Sequence, residues 1–499
     1  MARAETEPLL SELSAPGRRG FALPEPGVPE PARPEDCLPQ ASLRREPPAL
    51  PEVSELQVVR HFTRLSRLNY GIDTNPYPLG SCTMKYNPKI NDELAALPGF
   101  SGLHPYAPDA LAQGALRLLA ELEDALCRLT GMAAFSLQPA AGAHGELAGM
   151  LICARYHAER GDADRRLVIV PDSAHGTNPA SAAMAGFDVL EIGTDSAGGV
   201  DLGALRTAAD GRLAALMLTN PSTLGLFEEQ IEEIARIVHG AGGLLYYDGA
   251  NLNAIAGRAR PADMGFDICH LNLHKTFSTP HGMGGPGAGP VGVAQALVPL
   301  LPGPRLVRRD DPDAPGPSWS WEDAGPRSIG RLRALYGNFG VLVRAYAYIL
   351  SNGGEGLRDV AAHAVLNANY LMELLRPVLP PRYERACMHE FVADGRALAK
   401  AGLRGLDLCK ALLDRGFHAP TMYFPLIVPE ALMFEPTETE APEVLDALAA
   451  AVREVVAAGD AAKAAPEKTP VGRIDETLAA RRPVLRWPEA GQAGPERRR

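Results

Sequence analysis

Short apolar runs recur through the middle of the chain, at 167–170, 189–192, 213–218, 244–247, 268–273 and 290–293, separated by alanine- and leucine-rich stretches of helical spacing. Brief apolar runs bounded by turn-forming residues read as strands buried on both faces. Strands that alternate with helices imply right-handed βαβ units and a mostly parallel sheet. Residues 1–50 are proline-rich and lack a period, which predicts an extended arm. Val58, Val59, Phe62, Leu65 and Leu68 share one face of a helix predicted over 53–68, and a turn-rich loop follows at 75–87. Residues 302–326, rich in proline, charge and tryptophan, read as an excursion or hairpin, and 330–350 as a helix. Beyond 355, helical patterns at 366–379, 406–415 and 441–458 mix with short strands such as 422–428, which suits a smaller α+β domain. The expected division is an arm and helix over 1–95, a large domain over 96–330, a small domain over 331–488 and a disordered tail over 489–499.

One lysine stands out near the end of this alternation. Lys275 lies between an apolar run and a long glycine-rich stretch, with His270, His274 and His281 around it. A partly buried lysine amine near other cations can give up its proton and attack an aldehyde, so it can hold a carbonyl cofactor as a Schiff base. A surface lysine beside a flexible loop has the same local sequence, and other segments must decide. Gly-Gly-Leu-Leu-Tyr-Tyr-Asp-Gly-Ala-Asn at 242–251 reads as a buried strand with Asp248 at its carboxyl end, where open α/β sheets bind ligands. Asp-Gly also favours a turn, and the two roles are compatible. A bonding lysine paired with a carboxylate that keeps a pyridine nitrogen protonated is what pyridoxal 5'-phosphate (PLP) needs.

Three further segments fit the same cofactor. Ser-Leu-Gln-Pro-Ala-Ala-Gly-Ala-His-Gly-Glu at 136–146 precedes a helical pattern at 147–155, and small residues before a helix start make a phosphate cradle. Gly142, Ala143 and His144 are its candidates; the missing Walker lysine argues against a nucleotide. In Pro-Asp-Ser-Ala-His-Gly-Thr-Asn-Pro-Ala at 171–180, His175 is placed to lie flat on the ring, beside Thr177 and Asn178. A hydrogen-bonded core histidine is the plain alternative for His175 taken alone. Asn220, just after another apolar run, is a candidate donor to the ring's phenolic oxygen. His274 borders the phosphate or the lysine, or is an ordinary polar neighbour, and Ala250 and Thr276 complete the expected contacts. Phosphate loop, histidine, asparagine, aspartate and lysine occur in that chain order.

These strings carry a family resemblance that runs from about Glu7 to Trp487. It rests on Tyr-Pro-Leu-Gly-Ser-Cys-Thr-Met-Lys-Tyr-Asn-Pro at 77–88, Leu-Gln-Pro at 137–139, Ala-His-Gly-Thr-Asn-Pro at 174–179, Tyr-Asp-Gly-Ala-Asn-Leu-Asn at 247–253 and His-Lys-Thr-Phe at 274–277. His-Ala-Pro-Thr at 418–421 and Glu-Pro-Thr-Glu-Thr-Glu at 435–440 add to it. The chain resembles the second subunit of two-subunit glycine dehydrogenases (decarboxylating), the P-protein of the glycine cleavage system. The resemblance implies an α/β fold: a fold-type I PLP-dependent transferase-like large domain, a smaller C-terminal α+β domain and an extended arm that wraps a partner. It also implies PLP on Lys275, a first P-protein subunit in a two-plus-two heterotetramer, glycine as substrate and the lipoyl arm of H-protein as acceptor. The Ser81–Lys85 loop would then line the entrance for that arm. The family pattern after Pro280 and His281 is an unbroken run of four glycines, which Met283 interrupts here. A left-handed conformation at Met283 would be strained. Two other readings compete: a stand-alone PLP-dependent decarboxylase or aldolase, and a catalytically silent scaffold subunit. Retention of Lys275, Asp248 and His175 argues against the scaffold.

Composition narrows the class further. A net charge of −11 is unlike the basic footprint of a nucleic-acid protein. No apolar stretch reaches the roughly 20 residues of a membrane span. The acids and prolines of 2–35 resemble neither a signal nor a transit peptide. Seven cysteines lie scattered without metal-ligand spacing, which suggests reduced thiols, a cytoplasmic setting and no metal site. Cys82 reads as structural rather than nucleophilic. Thr437 and Glu440 have the spacing of a capping box, so the acidic motif around Glu435 reads as a helix start, and Asp407 and Asp414 read as solvated.

Overall fold

The apolar runs form strands because parallel sheets carry helices on both faces and leave no side of a strand for water. A computed structural model describes residues 7–22, 24, 27, 32–46, 48–162, 164–280, 286–310 and 316–485. Seven strands make the main sheet: β1 (Ala134–Ser136), β2 (Leu167–Pro171), β3 (Asp188–Ile192), β4 (Leu213–Thr219), β5 (Leu244–Gly249), β6 (Ile268–Leu271) and β7 (Val291–Val293). Their order is β1-β7-β6-β5-β4-β2-β3, and β7 is antiparallel to both neighbours while the other pairs are parallel. Alternate residues feed two cores, as a period of two requires. Ile169, Leu216, Leu245 and Tyr247 face the core containing the helix Gln113–Thr130. Val168, Ala215, Met217 and Tyr246 face the core containing Met150 and Ile152 of the helix Gly142–Glu159.

The excursion at 302–326 contains an antiparallel hairpin, β8 (Arg305–Arg309) with β9 (Ser318–Glu322). A helical run Phe339–Leu375 follows, broken at Gly353, whose φ of 62 and ψ of −175 are not helical. The second sheet joins β10 (Phe391–Asp394), β11 (Thr421–Met422) and β12 (Ala431–Phe434) in the order β10-β12-β11. The strand expected over 422–428 stops at Met422 because Tyr423 has φ 61 and Pro425 has no N–H to give a ladder. The capping box expected at Thr437 and Glu440 is absent. The helix Pro442–Ala458 has Ala441 at its N-cap, and Thr437 pairs with Thr439 instead. Asp407 is buried rather than solvated, accepting from the Arg404 amide at 2.9 Å as a helix-capping acid, and Asp414 is half-buried.

The described residues form two compact units, one drawn from positions up to 71 together with those from 464 onward and the other from 72–463. In the first unit the helix Glu55–Arg67 begins with a capping box between Ser54 and Gln57, and Glu7 pairs with Arg64 at 3.1 Å. Leu56, Val59, Phe62 and Leu65 of that helix are exposed. Main sheet, hairpin and second sheet all belong to the second unit. His281, Met283 and the tail from 486 lie outside the described residues.

Candidate functional site

The register of three parallel strands builds the floor of the site. Thr219 of β4 pairs with Asp248 of β5, and Asp248 pairs with His270 of β6, so the three stand abreast toward the carboxyl edge of the sheet. A cleft of about 190 Å³ opens there, and Gly142, Ala143, His175, Thr177, Ala250 and Lys275 also line it. This is the position where open α/β sheets take ligands.

Asp248 is buried and held on several sides. Asn178 Nδ2 donates to its Oδ2 at 3.0 Å, the Ala250 amide to its Oδ1 at 3.0 Å, and His270 Nε2 lies 3.4 Å away. Burial pushes the Asp248 carboxyl up, but His270, the Asn178 and Ala250 hydrogen bonds and Lys275 outweigh it and leave it below the usual carboxylate range. The site thus keeps a carboxylate at a buried position. Tyr246 hydroxyl fixes the other face of His270, 2.7 Å from Nδ1.

Lys275 does not follow directly on a strand. β6 stops at Leu271 and a single helical turn, Leu273–Thr276, carries the lysine, since Asn272, His274 and Lys275 are poor strand formers. That turn lets Lys275 Nζ reach across to donate to the Ser81 carbonyl at 2.8 Å. The helix Gly142–Glu159 starts with no side-chain cap, and Gly142 and Ala143 of its first turn line the cleft, where backbone amides at a helix start can take an anion. A Cβ on Gly142 would come 2.7 Å from Asn272 Oδ1. One on Gly289 would meet the Ala141 carbonyl at 2.0 Å. Gly289→Ala therefore pushes the helix start away from the neighbouring segment, and is expected to cost on the order of 2 kcal/mol, read as a lowered Tm.

His175 is exposed at the cleft, with Nδ1 3.0 Å from Thr177 Oγ1 and Phe424 packed edge-on at 5.7 Å. Thr177 donates in turn to Glu146 at 2.7 Å. The Asn220 side chain is fully buried, with Oδ1 accepting from the Glu228 amide at 3.0 Å, and it is not among the residues that line the cleft. His144 and His274 also turn from it, toward the Ala140 amide at 3.2 Å and the Ala288 amide at 3.3 Å. Thr276 is buried behind Lys275 and does not line the cleft. Glu146, Thr219, Thr223, Asn251 and Asn272 line the cleft without having been expected there, and they are joined by His270, expected only as a neighbour of Lys275, and Ser81 of the expected entrance loop. Ser81 and Asn251 lie inside strings that carried the resemblance, Glu146 ends the segment read as a phosphate cradle, and Asn272 sits where β6 ends.

Solved structures share this architecture. The chain superposes on the crystal structure of glycine decarboxylase (P-protein) of the glycine cleavage system, in inhibitor-bound form, with a TM-score of 0.71 and 24% identity over 84% of this chain and 93% of that one. A sphingosine-1-phosphate lyase from Burkholderia pseudomallei follows with a TM-score of 0.60 and 18% identity, over 85% and 94%. The fold is that of the fold-type I PLP-dependent enzymes. The profile of glycine dehydrogenase, C-terminal domain, matches residues 360–471. The probable glycine dehydrogenase (decarboxylating) subunit 2 of Caldanaerobacter subterraneus subsp. tengcongensis is 57% identical over 487 residues, 97% of this chain and 99% of that protein. Its counterpart in Listeria innocua serovar 6a is 53% identical over 97% and 98%. The chain belongs to the family of glycine dehydrogenase (decarboxylating) subunit 2.

Proposed function

We propose that this chain is the PLP-carrying subunit of a glycine dehydrogenase (decarboxylating), releasing the carboxylate of glycine as CO2 and passing the aminomethyl group to the lipoyl arm of H-protein. The observation that carries this reading is the convergence of Lys275, Asp248 and an uncapped helix start on one cleft. The residues present fit the cofactor. Thr219 and Asn272 line the cleft, and among the described residues Thr219 Oγ1 and Asn272 Oδ1 are buried without a hydrogen-bond partner, as groups that await a polar ligand are. Gly142 and Ala143 would hold the phosphate, Asp248 the ring nitrogen's proton, His175 the ring face, and Lys275 the covalent bond to the aldehyde. When bound, PLP supplies a ring that accepts the electrons of the breaking carbon–carbon bond. Asp248 maintains the charge that this requires, and Asn178 and His270 orient it. Lys275, once released as an amine, carries a proton to and from the substrate carbon.

The name of the family implies a first subunit. The exposed Leu56, Val59, Phe62 and Leu65 of the helix Glu55–Arg67 offer an apolar face for it in a two-plus-two assembly. Free cysteines throughout suit a cytoplasmic enzyme, and no helix among the described residues is long and apolar enough to cross a membrane. Glycine-dependent exchange of CO2 in the presence of lipoylated H-protein, run with and without the first subunit, tests the assignment. Exchange is expected only with both subunits; full exchange by this chain alone contradicts it.

A further inference from the structure

Beneath the Ser81–Thr83 loop lies a buried group of side chains that the mechanism above does not use. Glu390 immediately precedes β10 and Glu435 immediately follows β12, and Phe391 and Phe434 are register partners, so the antiparallel ladder ends with the two glutamates side by side. Both are fully buried. The Ser81 amide donates to Glu390 Oε2 at 2.6 Å and the Thr83 amide to Glu435 Oε2 at 2.9 Å. Ser81 and Thr83 have φ values of 65 and 42, left-handed conformations that side chains resist. The two carboxyl groups thus grip both strained residues from below, and the turn they fix aims the Ser81 carbonyl at Lys275 Nζ. His389 Nε2 completes the cluster, 4.0 Å from Glu390 Oε1 and 3.8 Å from Glu435 Oε1. Neither ring nitrogen of His389 nor Glu435 Oε1 has a hydrogen-bond partner among the described residues.

Charge limits what this cluster can hold. Lys275, Cys82, His389 and Glu438 are the titratable groups that face the pair. Glu438 is already engaged by Lys85 at 2.9 Å, which leaves Lys275 as the cation set against two carboxyl groups. Oxygen atoms of the two carboxyl groups lie within 4.8 Å of one another, and two ionised carboxylates that close in a dry interior repel strongly. We propose that Glu390 stays protonated beside Glu435, so that the pair carries at most one negative charge, and that the two act as positioning residues, clamping the Ser81–Thr83 turn and through it the Lys275 amine. The role given to Lys275 rests on the function proposed above; the retained proton and the clamp do not. Burial, reinforced by Glu435, pushes the Glu390 carboxyl well above its usual range, so Glu390 keeps the proton. Burial raises Glu435 to about 7, and burial lowers His389 to about 3, so the imidazole stays neutral. Glu435 ionises as pH rises through neutrality, and its charged oxygen then holds the Thr83 amide more strongly.

Two measurements on the full chain without added cofactor test the clamp independently of the cofactor assignment. In carbon-13-glutamate-labelled protein, the infrared spectrum at pH 8 should retain a protonated carboxyl band, and E390Q should remove it. Amide exchange at Ser81 and Thr83, corrected for its intrinsic pH dependence, should be about tenfold slower above pH 7 than below pH 6 in the wild type. In E435Q this pH dependence should disappear while the fold remains. No protonated carboxyl in the wild type at pH 8 overturns the proposal, and needs no variant. The same exchange profile in E435Q and wild type, or a stoichiometric metal ion bound at these residues, also overturns it.

Discussion

Lys275→Ala is expected to lower glycine-dependent CO2 exchange by on the order of 10⁴-fold or more while leaving the chain folded. The two halves of that expectation have separate causes. Lys275 is half-buried on a single helical turn, and its amine donates to the Ser81 carbonyl, so truncation costs about 1 kcal/mol of stability. The same amine is the group at the cleft that can bond an aldehyde and carry a proton, and neither task passes to a neighbour. Lys275→Arg should be nearly as inactive, because a guanidinium keeps the charge but stays protonated. Exchange rates beside thermal unfolding separate the two effects. A Lys275→Ala protein within tenfold of wild type would remove this residue from the chemistry.

Lys85→Met should have the largest effect on stability. Lys85 is buried beneath the loop that carries Ser81, and its ammonium donates to Asn253 Oδ1 at 2.8 Å, Glu438 Oε1 at 2.9 Å and the Tyr348 hydroxyl at 3.2 Å. Burial works against the charged amine, and Glu438 with Tyr348 more than offsets it, leaving the pKa above the usual lysine value. Removing the lysine strands Glu438, whose side chain is 7% exposed. Breaking a buried pair in this way costs about 3–5 kcal/mol, whereas replacing both partners leaves no orphaned charge. The double variant Lys85→Met/Glu438→Gln should therefore lose less than Lys85→Met alone, as measured by the shift in Tm. A single variant that unfolds within a degree of wild type would show that Glu438 finds another partner.

The two lysines show what a sequence discloses and what it conceals. Lys275, Asp248 and His175 each lie at or just beyond the end of a buried strand that an apolar run marks, and the helix start at Gly142 is marked by its own small residues. Position relative to the sheet is thus local information. Asn220 looked equivalent, at the end of β4, but the following residues turn its side chain under Glu228 instead of into the cleft. Its direction depends on chain eight positions later and its strand neighbour Thr219 takes the lining place. Glu435 was concealed for the opposite reason. It belongs to a string that scans as a helix start, yet it meets Thr83 from 352 positions away, just past a strand of four residues that has no periodic signal. β1, with three residues, is equally faint. Local pattern gave the sheet and the neighbourhood of Lys275; contacts between distant short elements supplied the rest.

Reduction of the cofactor-loaded protein with borohydride, followed by peptide mapping, tests the central assignment most directly. The pyridoxyl group should appear on Lys275 and on no other residue. A label on Lys85 or another lysine, or a protein that binds PLP but takes no label, would contradict the account.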